Sequence, residues 1–174
     1  MRRLTLAVLL ALPLCAAPLS AQRVTLGVAG GASLGSGGFD GDGGAGWHAL
    51  GTVGLERPMQ PLGLRADVAH SRSGFDTGAG PDAGEREVTS ATLNLTYRLP
   101  MTRSAFSPYV IAGLGAYRTG CSGGAVCNET TRRGWNAGLG TRARLGGVRA
   151  FVEARYHDSG TAGYLPVTIG LTLL

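Results

Sequence analysis

From about residue 23 to the end of the chain, apolar and polar side chains alternate with a period of two. The clearest run lies near residues 87–99, where Ala91, Leu93, Leu95, Tyr97 and Leu99 oppose Ser90, Thr92, Asn94, Thr96 and Arg98. A second run sets Val148, Ala150, Val152, Ala154 and Tyr156 against Arg149, Phe151, Glu153, Arg155 and His157. That period belongs to β-strands with one apolar and one polar face. Eight such segments are predicted, near residues 23–33, 46–56, 62–71, 87–99, 108–119, 133–145, 148–157 and 164–174. The connections alternate. Those at 35–44, 73–85, 120–131 and 158–163 are longer and polar, whereas 57–61, 100–107 and Gly146-Gly147 are tighter. The Gly-Gly pair suits a two-residue primed hairpin.

The polar faces decide between two kinds of all-β fold. A soluble barrel or sandwich buries its apolar face. Here the charged residues share a face with Gly, Ser, Thr and Asn on strand after strand, too many charges for an ordinary core. The pattern fits strands whose outer face meets lipid and whose inner face lines a polar lumen. About 10 residues at ~3.3 Å each, tilted by ~40°, span ~25 Å, the height of the apolar band. The expected fold is therefore an eight-stranded antiparallel up-and-down transmembrane β-barrel. Trp47, Tyr117, Trp135 and Tyr156 are expected outward at the long-loop end, and Tyr97 and Tyr109 outward at the short-turn end, as two aromatic belts. The segment at 108–119 is apolar on both faces and breaks the pattern.

Composition adds a compartment. Met1-Arg2-Arg3, an apolar run from Leu4 to Leu14 and a small-residue tail to Ala21 read as a cleaved Sec signal peptide, residues 1–21, ahead of a barrel domain at 22–174. The apolar run is too short for a spanning helix. The net charge of +5 is mild and interleaved with acids, so nucleic acid is not an expected partner. Glycine is abundant at 30 residues but lacks a G-X-Y period, which excludes collagen. Cys121 and Cys127 form an even pair in an exported chain and are expected to make an intraloop disulfide. Their spacing matches no zinc motif.

Three stretches, Pro108–Gly115, Phe151–His157 and Tyr164–Leu171, make the chain resemble the small OmpA/OmpX-type outer-membrane β-barrel proteins. The resemblance spans nearly all of 22–174. It implies residence in the outer membrane of a Gram-negative-type bacterium, contact with outer-membrane lipid, and insertion by the barrel-assembly machinery. Members usually end on an aromatic residue that this machinery reads. This chain departs from that pattern with Leu173-Leu174. No domain follows the barrel in the sequence, so peptidoglycan anchoring of the two-domain kind is not expected.

Candidate chemistry lies on the inner face. Glu56, Arg65, Asp67, Arg98, Arg142, Arg144, Arg149, Glu153 and Arg155 are expected inside. An eight-stranded barrel is just wide enough to be filled by its side chains. These groups are therefore expected to form a salt-bridge network with Glu153 as its hub. The excess of arginine leaves a narrow anion-favouring channel as the alternative. Arg144 and Arg149 should oppose each other across the Gly146-Gly147 turn, which is unfavourable unless an acid or water intervenes. His157-Asp158-Ser159 resembles the His-x-Ser motif of lipid A deacylases, where Ser attacks, His acts as base and a Glu orients the His. No acid follows Ser159, so that triad is incomplete, and no enzyme activity or cofactor is expected. Asp40 and Asp42 could offer oxygens to calcium, but in no EF-hand spacing. Asn94-Leu95-Thr96 and Asn128-Glu129-Thr130 match the glycosylation pattern by chance, and His48 and His70 read as strand-end residues. The expected role is that of a monomer with a structural or surface-interaction (binding or adhesion) function, its long loops contacting an unidentified extracellular ligand.

Overall fold

The computed structural model describes residues 22–35, 43–75, 84–101, 105–122, 128–160 and 163–173. The expected signal peptide, Asp40, Asp42 and Cys127 lie outside the described residues. Eight strands follow one another: β1 (Arg23–Gly35), β2 (Gly43–Glu56), β3 (Leu62–Phe75), β4 (Gly84–Arg98), β5 (Phe106–Ser122), β6 (Thr130–Leu145), β7 (Val148–Asp158) and β8 (Gly163–Leu173). Each pairs antiparallel with its neighbour, and β1 pairs with β8 from Leu26↔Leu173 to Gly35↔Tyr164, which closes the barrel. Closure satisfies every strand's ladder and removes the free edges that a bilayer does not tolerate.

Several strands outrun the alternating pattern at the long-loop end. The β3–β4 ladder continues to Phe75↔Gly84 and the β4–β5 ladder to Glu85↔Ser122. Hairpin hydrogen bonding does not need apolar side chains, so it carries the strands past the lipid-facing band into polar sequence. At the other end the β6–β7 hairpin turns at Gly146-Gly147, with Leu145 paired to Val148. The positive φ falls on Gly146 (63°), the first central position, where the II′ turn needs glycine.

The wall is inside-out relative to a soluble core. On β4, Leu93 is 62% exposed while its neighbour Asn94 is 1% exposed. The outer surface carries Val28, Val68, Leu93, Leu114, Leu139 and Ile169, all exposed, and the interior holds Thr, Ser, Asn, Arg, Asp and Glu. A face of this kind is stable only where lipid replaces water.

Strand β5 corrects one expectation. Tyr109 and Tyr117 are not in the belts; they point inward and are 2% and 0% exposed. Val110 and Leu114 face out instead. Register supplies the reason, because directly paired residues of an antiparallel ladder lie on the same side of the sheet. Tyr109 pairs with Arg98 on β4 and with Gly140 on β6, both on the inner face. A Cβ on Gly140 would stand 2.6 Å from the Tyr109 ring, and one on Gly134 would stand 2.8 Å from the Tyr117 ring. The two glycines vacate the space that the rings occupy. The remaining belt residues hold their outward positions. Trp47, Trp135 and Tyr156 are exposed at the long-loop end, where the Trp135 and Tyr156 rings lie 5.6 Å apart. Tyr97 is exposed at the short-turn end, joined there by Phe106 rather than Tyr109.

Candidate functional site

The lumen is organised in three tiers. The middle tier is built from two copies of one local device: an arginine and an acid two residues apart on a strand, so that both point inward. Arg65 and Asp67 come from β3, and Glu153 and Arg155 from β7, four strands away around the barrel. Arg65 Nη1 and Nη2 donate to Glu153 Oε2 and Oε1 at 2.9 and 2.8 Å, the bidentate fork. Arg65 Nε lies 3.0 Å from Asp67 Oδ1 and donates to Oδ2 at 3.1 Å. Arg155 donates from Nη1 to Asp67 Oδ2 at 2.8 Å and from Nε to Glu153 Oε1 at 2.9 Å, with a further contact from Nη2 to Glu153. Two positive and two negative charges cancel across the barrel.

Neutral groups complete this plug. The Tyr109 hydroxyl donates to Glu153 Oε2 at 2.7 Å. Asn94 Nδ2 donates to Asp67 Oδ2 at 2.9 Å, and Asn136 Nδ2 donates to Asn94 Oδ1 at 2.9 Å. Buried charges persist only when paired and hydrogen-bonded. Glu153 accepts from two arginines and a tyrosine, which makes it the most heavily bonded acid of the set. Three contributors were missed from sequence: Asn94 and Asn136, which carry no charge to single them out on the polar face, and Tyr109, because an aromatic on a strand with two apolar faces reads equally well as belt or as lumen.

The lower tier lies at the short-turn end. Glu56 of β2 accepts from Arg142 of β6 and from Arg149 Nη1 of β7, the latter at 2.8 Å. The Arg142 guanidinium sits 4.2 Å from the Tyr109 ring centre, a cation–π contact. Arg144 and Arg149 are paired across the hairpin, as like charges. Of these two, only Arg149 is bonded to Glu56. Arg144 is exposed at the rim, and Arg98 donates from Nη2 to the Gln60 backbone carbonyl at 3.2 Å. These two therefore stand apart from the plug. Together the lower residues line a cavity of about 530 Å³ that opens toward the short turns.

The upper tier holds His48, His157, Tyr117 and Tyr164. The Tyr117 hydroxyl is 3.1 Å from His157 Nδ1, His157 stacks on Tyr164 with ring centres 4.8 Å apart, and His48 Nε2 is 2.7 Å from Thr168 Oγ1. His48 is thus a lumen residue, whereas His70 bonds Thr89 and meets Trp47 near the outer rim. The space left here is about 20 Å³, room for one water molecule. Among the described residues, no hydrogen bond or ion pair joins His157 to a carboxylate. His157 and Ser159 are both buried on the inner face, away from the wall where an acyl chain would lie. Cys121, near the end of β5, is disulfide-bonded, and Cys127 lies outside the described residues.

A family model described as the outer membrane protein β-barrel domain matches residues 6–171. The chain belongs to this outer-membrane β-barrel family. Its place is the outer membrane, and its fold is shared by solved barrels of low sequence identity. Neisserial surface protein A is similar at a TM-score of 0.68 and 15% identity, over 87% of this chain and 97% of that one. The N-terminal β-barrel domain of Pseudomonas aeruginosa OprF is similar at 0.53 and 13%, over 86% and 96%. Ail, the attachment invasion locus protein of Yersinia pestis, solved with the heparin analogue sucrose octasulfate, is similar at 0.53 and 13%, over 87% of this chain and 98% of that one. No curated protein gives a significant sequence match.

Proposed function

We propose that this outer-membrane barrel acts as a monomeric, non-enzymatic surface-interaction protein, a stiff frame that presents its long-loop end to an extracellular ligand. The carrying observation is the plug. Four cross-braced charges fill the lumen at Glu153, and the outer wall is committed to lipid. The ends of the barrel are then the polar surfaces left for a partner. By the usual arrangement of such barrels, the longer loops face outward and the short turns face the periplasm. The names of two similar barrels, a surface protein and an attachment–invasion protein, support a role of this kind. A disulfide from Cys121 to Cys127 would stiffen the third long loop, and so lower the entropy lost on binding. Insertion would proceed through the barrel-assembly machinery despite the Leu173-Leu174 ending.

The test replaces residues 120–131 with a Gly/Ser segment of equal length and measures binding of the expressing cells to host cells and to immobilised matrix components. Lost binding with an unchanged boiled-versus-unboiled gel shift supports the proposal. Undiminished binding, repeated for the loops at 35–44, 73–85 and 158–163, refutes it and leaves an envelope-stabilising role. The channel alternative draws on the arginine excess at the short-turn mouth, but the plug stands in its path.

A further inference from the structure

We propose that the short-turn mouth of the barrel is a binding site for a phosphoryl-bearing anion. This site is separate from the long-loop surface and faces the periplasm. Five arginines, Arg23, Arg98, Arg142, Arg144 and Arg149, line the cavity of about 530 Å³ against a single acid, Glu56. The volume falls within the range of small-molecule sites, ~300–1,000 Å³. The charge excess is local: the plug directly above is neutral, so among the described residues only Glu56 offsets it.

Arg98 is held by the Gln60 carbonyl, and the other four arginines divide into two sets. Arg142 and Arg149 are held in place, both by Glu56 and Arg142 also by its stacking on Tyr109. Arg23 and Arg144 have no carboxylate partner among the described residues. Arg144 also faces Arg149 across the hairpin, an arrangement that costs stability until an anion comes between them. Two fixed guanidiniums, and two without a carboxylate partner among the described residues, surround one concavity and match the oxygens of a phosphoryl group. The planar fork of arginine binds such oxygens bidentately. A low-dielectric wall around a cavity of one sign concentrates anions there. A soluble periplasmic phosphate compound and the phosphate of an inner-leaflet lipid headgroup offer the same chemistry.

The test uses the full barrel in phosphatidylcholine nanodiscs at 0.15 M salt, with inorganic tripolyphosphate as probe and calorimetric titration as readout. Arg23→Gln and Arg144→Gln are each expected to weaken binding about tenfold, and the pair to weaken it further. Arg72→Gln, which removes a rim arginine paired with Glu87 at the opposite end, is expected to leave it unchanged. An unaltered gel shift on boiling confirms that the variants fold. Absence of tripolyphosphate binding, or equal affinity in the Arg23/Arg144 double variant and the parent, overturns the proposal, as does equal weakening by Arg72→Gln. Repeating the titration in phosphatidylglycerol discs assigns the source. A fall in affinity larger for the parent than for the double variant means that the headgroup occupies the mouth. An equal response in both means that the ligand is soluble. Either result supports the phosphoryl site.

Discussion

Replacing Glu153 with glutamine changes one atom and removes the charge at the centre of the plug. Glu153 is 1% exposed and accepts from Arg65, Arg155 and Tyr109. Glutamine keeps the volume and one acceptor oxygen, but its NH₂ group faces guanidinium donors. The plug is left with two arginines and Asp67 alone. Breaking a buried ion pair by removing one partner costs about 3–5 kcal/mol. Set against a typical total of about 5–15 kcal/mol, that is a large fraction of the barrel's stability. Urea unfolding in phosphatidylcholine vesicles, followed by the emission of Trp47 and Trp135, measures it. The charge argument makes a second, sharper demand. Arg65→Met on top of Glu153→Gln leaves Arg155 opposite Asp67, a neutral pair already bonded at 2.8 Å. The double variant is therefore expected to fall short of the sum of the single losses by about 1–3 kcal/mol. A Glu153→Gln barrel within about 0.5 kcal/mol of the parent, or strictly additive losses, would refute the account of the plug.

Other consequences are as direct. Tyr109→Phe removes one hydrogen bond to a buried carboxylate while keeping the ring, and should cost about 1.5–3 kcal/mol in the same unfolding assay. Gly140→Val should cost at least about 1–3 kcal/mol, because its side chain meets the Tyr109 ring and the Val152 carbonyl. Leu139→Arg places a charge on the lipid face near the middle of β6, and should cost about 2–4 kcal/mol in vesicles. In planar bilayers the parent should show no discrete conductance steps, because the plug divides the lumen into a large lower cavity and an upper one of water size. Steady unitary currents altered by Arg142→Ala would favour the channel alternative.

Most of the fold is legible in the chain because one physical requirement, lipid outside and water-like groups inside, is written along most of β1–β4 and β6–β8, with Leu50, Val88 and Phe151 as apolar exceptions inside. β5 is the exception. With Tyr109, Ile111 and Tyr117 on one face and Val110, Leu114 and small residues on the other, its two faces have similar hydrophobicity, so periodicity alone does not orient it. The information sits on its neighbours. Arg98 on β4 and the Gly134, Asn136, Gly138 and Gly140 series on β6 fix the inner side, and antiparallel pairing carries that side across to Tyr109 and Tyr117. The charged inner face was equally readable as a set, but its partition was not. Alternation places nine charges inside the barrel without saying how far each lies along its axis. Strand stagger sends Arg65, Asp67, Glu153 and Arg155 to the middle, Glu56, Arg142 and Arg149 to the lower mouth, and Arg98 and Arg144 to its rim. The cavity that the lower set encloses arises from that stagger and from the short turns around it.

The orientation of β5 is where the account is most exposed to disproof. With Trp47 and Trp135 replaced by Phe, a single tryptophan is placed at 114 or at 109, and the barrel is inserted into vesicles whose acyl chains carry bromine. Leu114→Trp should be strongly quenched and Tyr109→Trp should not. Quenching at 109 with none at 114 would mean that the aromatics of this strand face lipid, and that the lumen lacks the hydroxyl on which its central carboxylate depends.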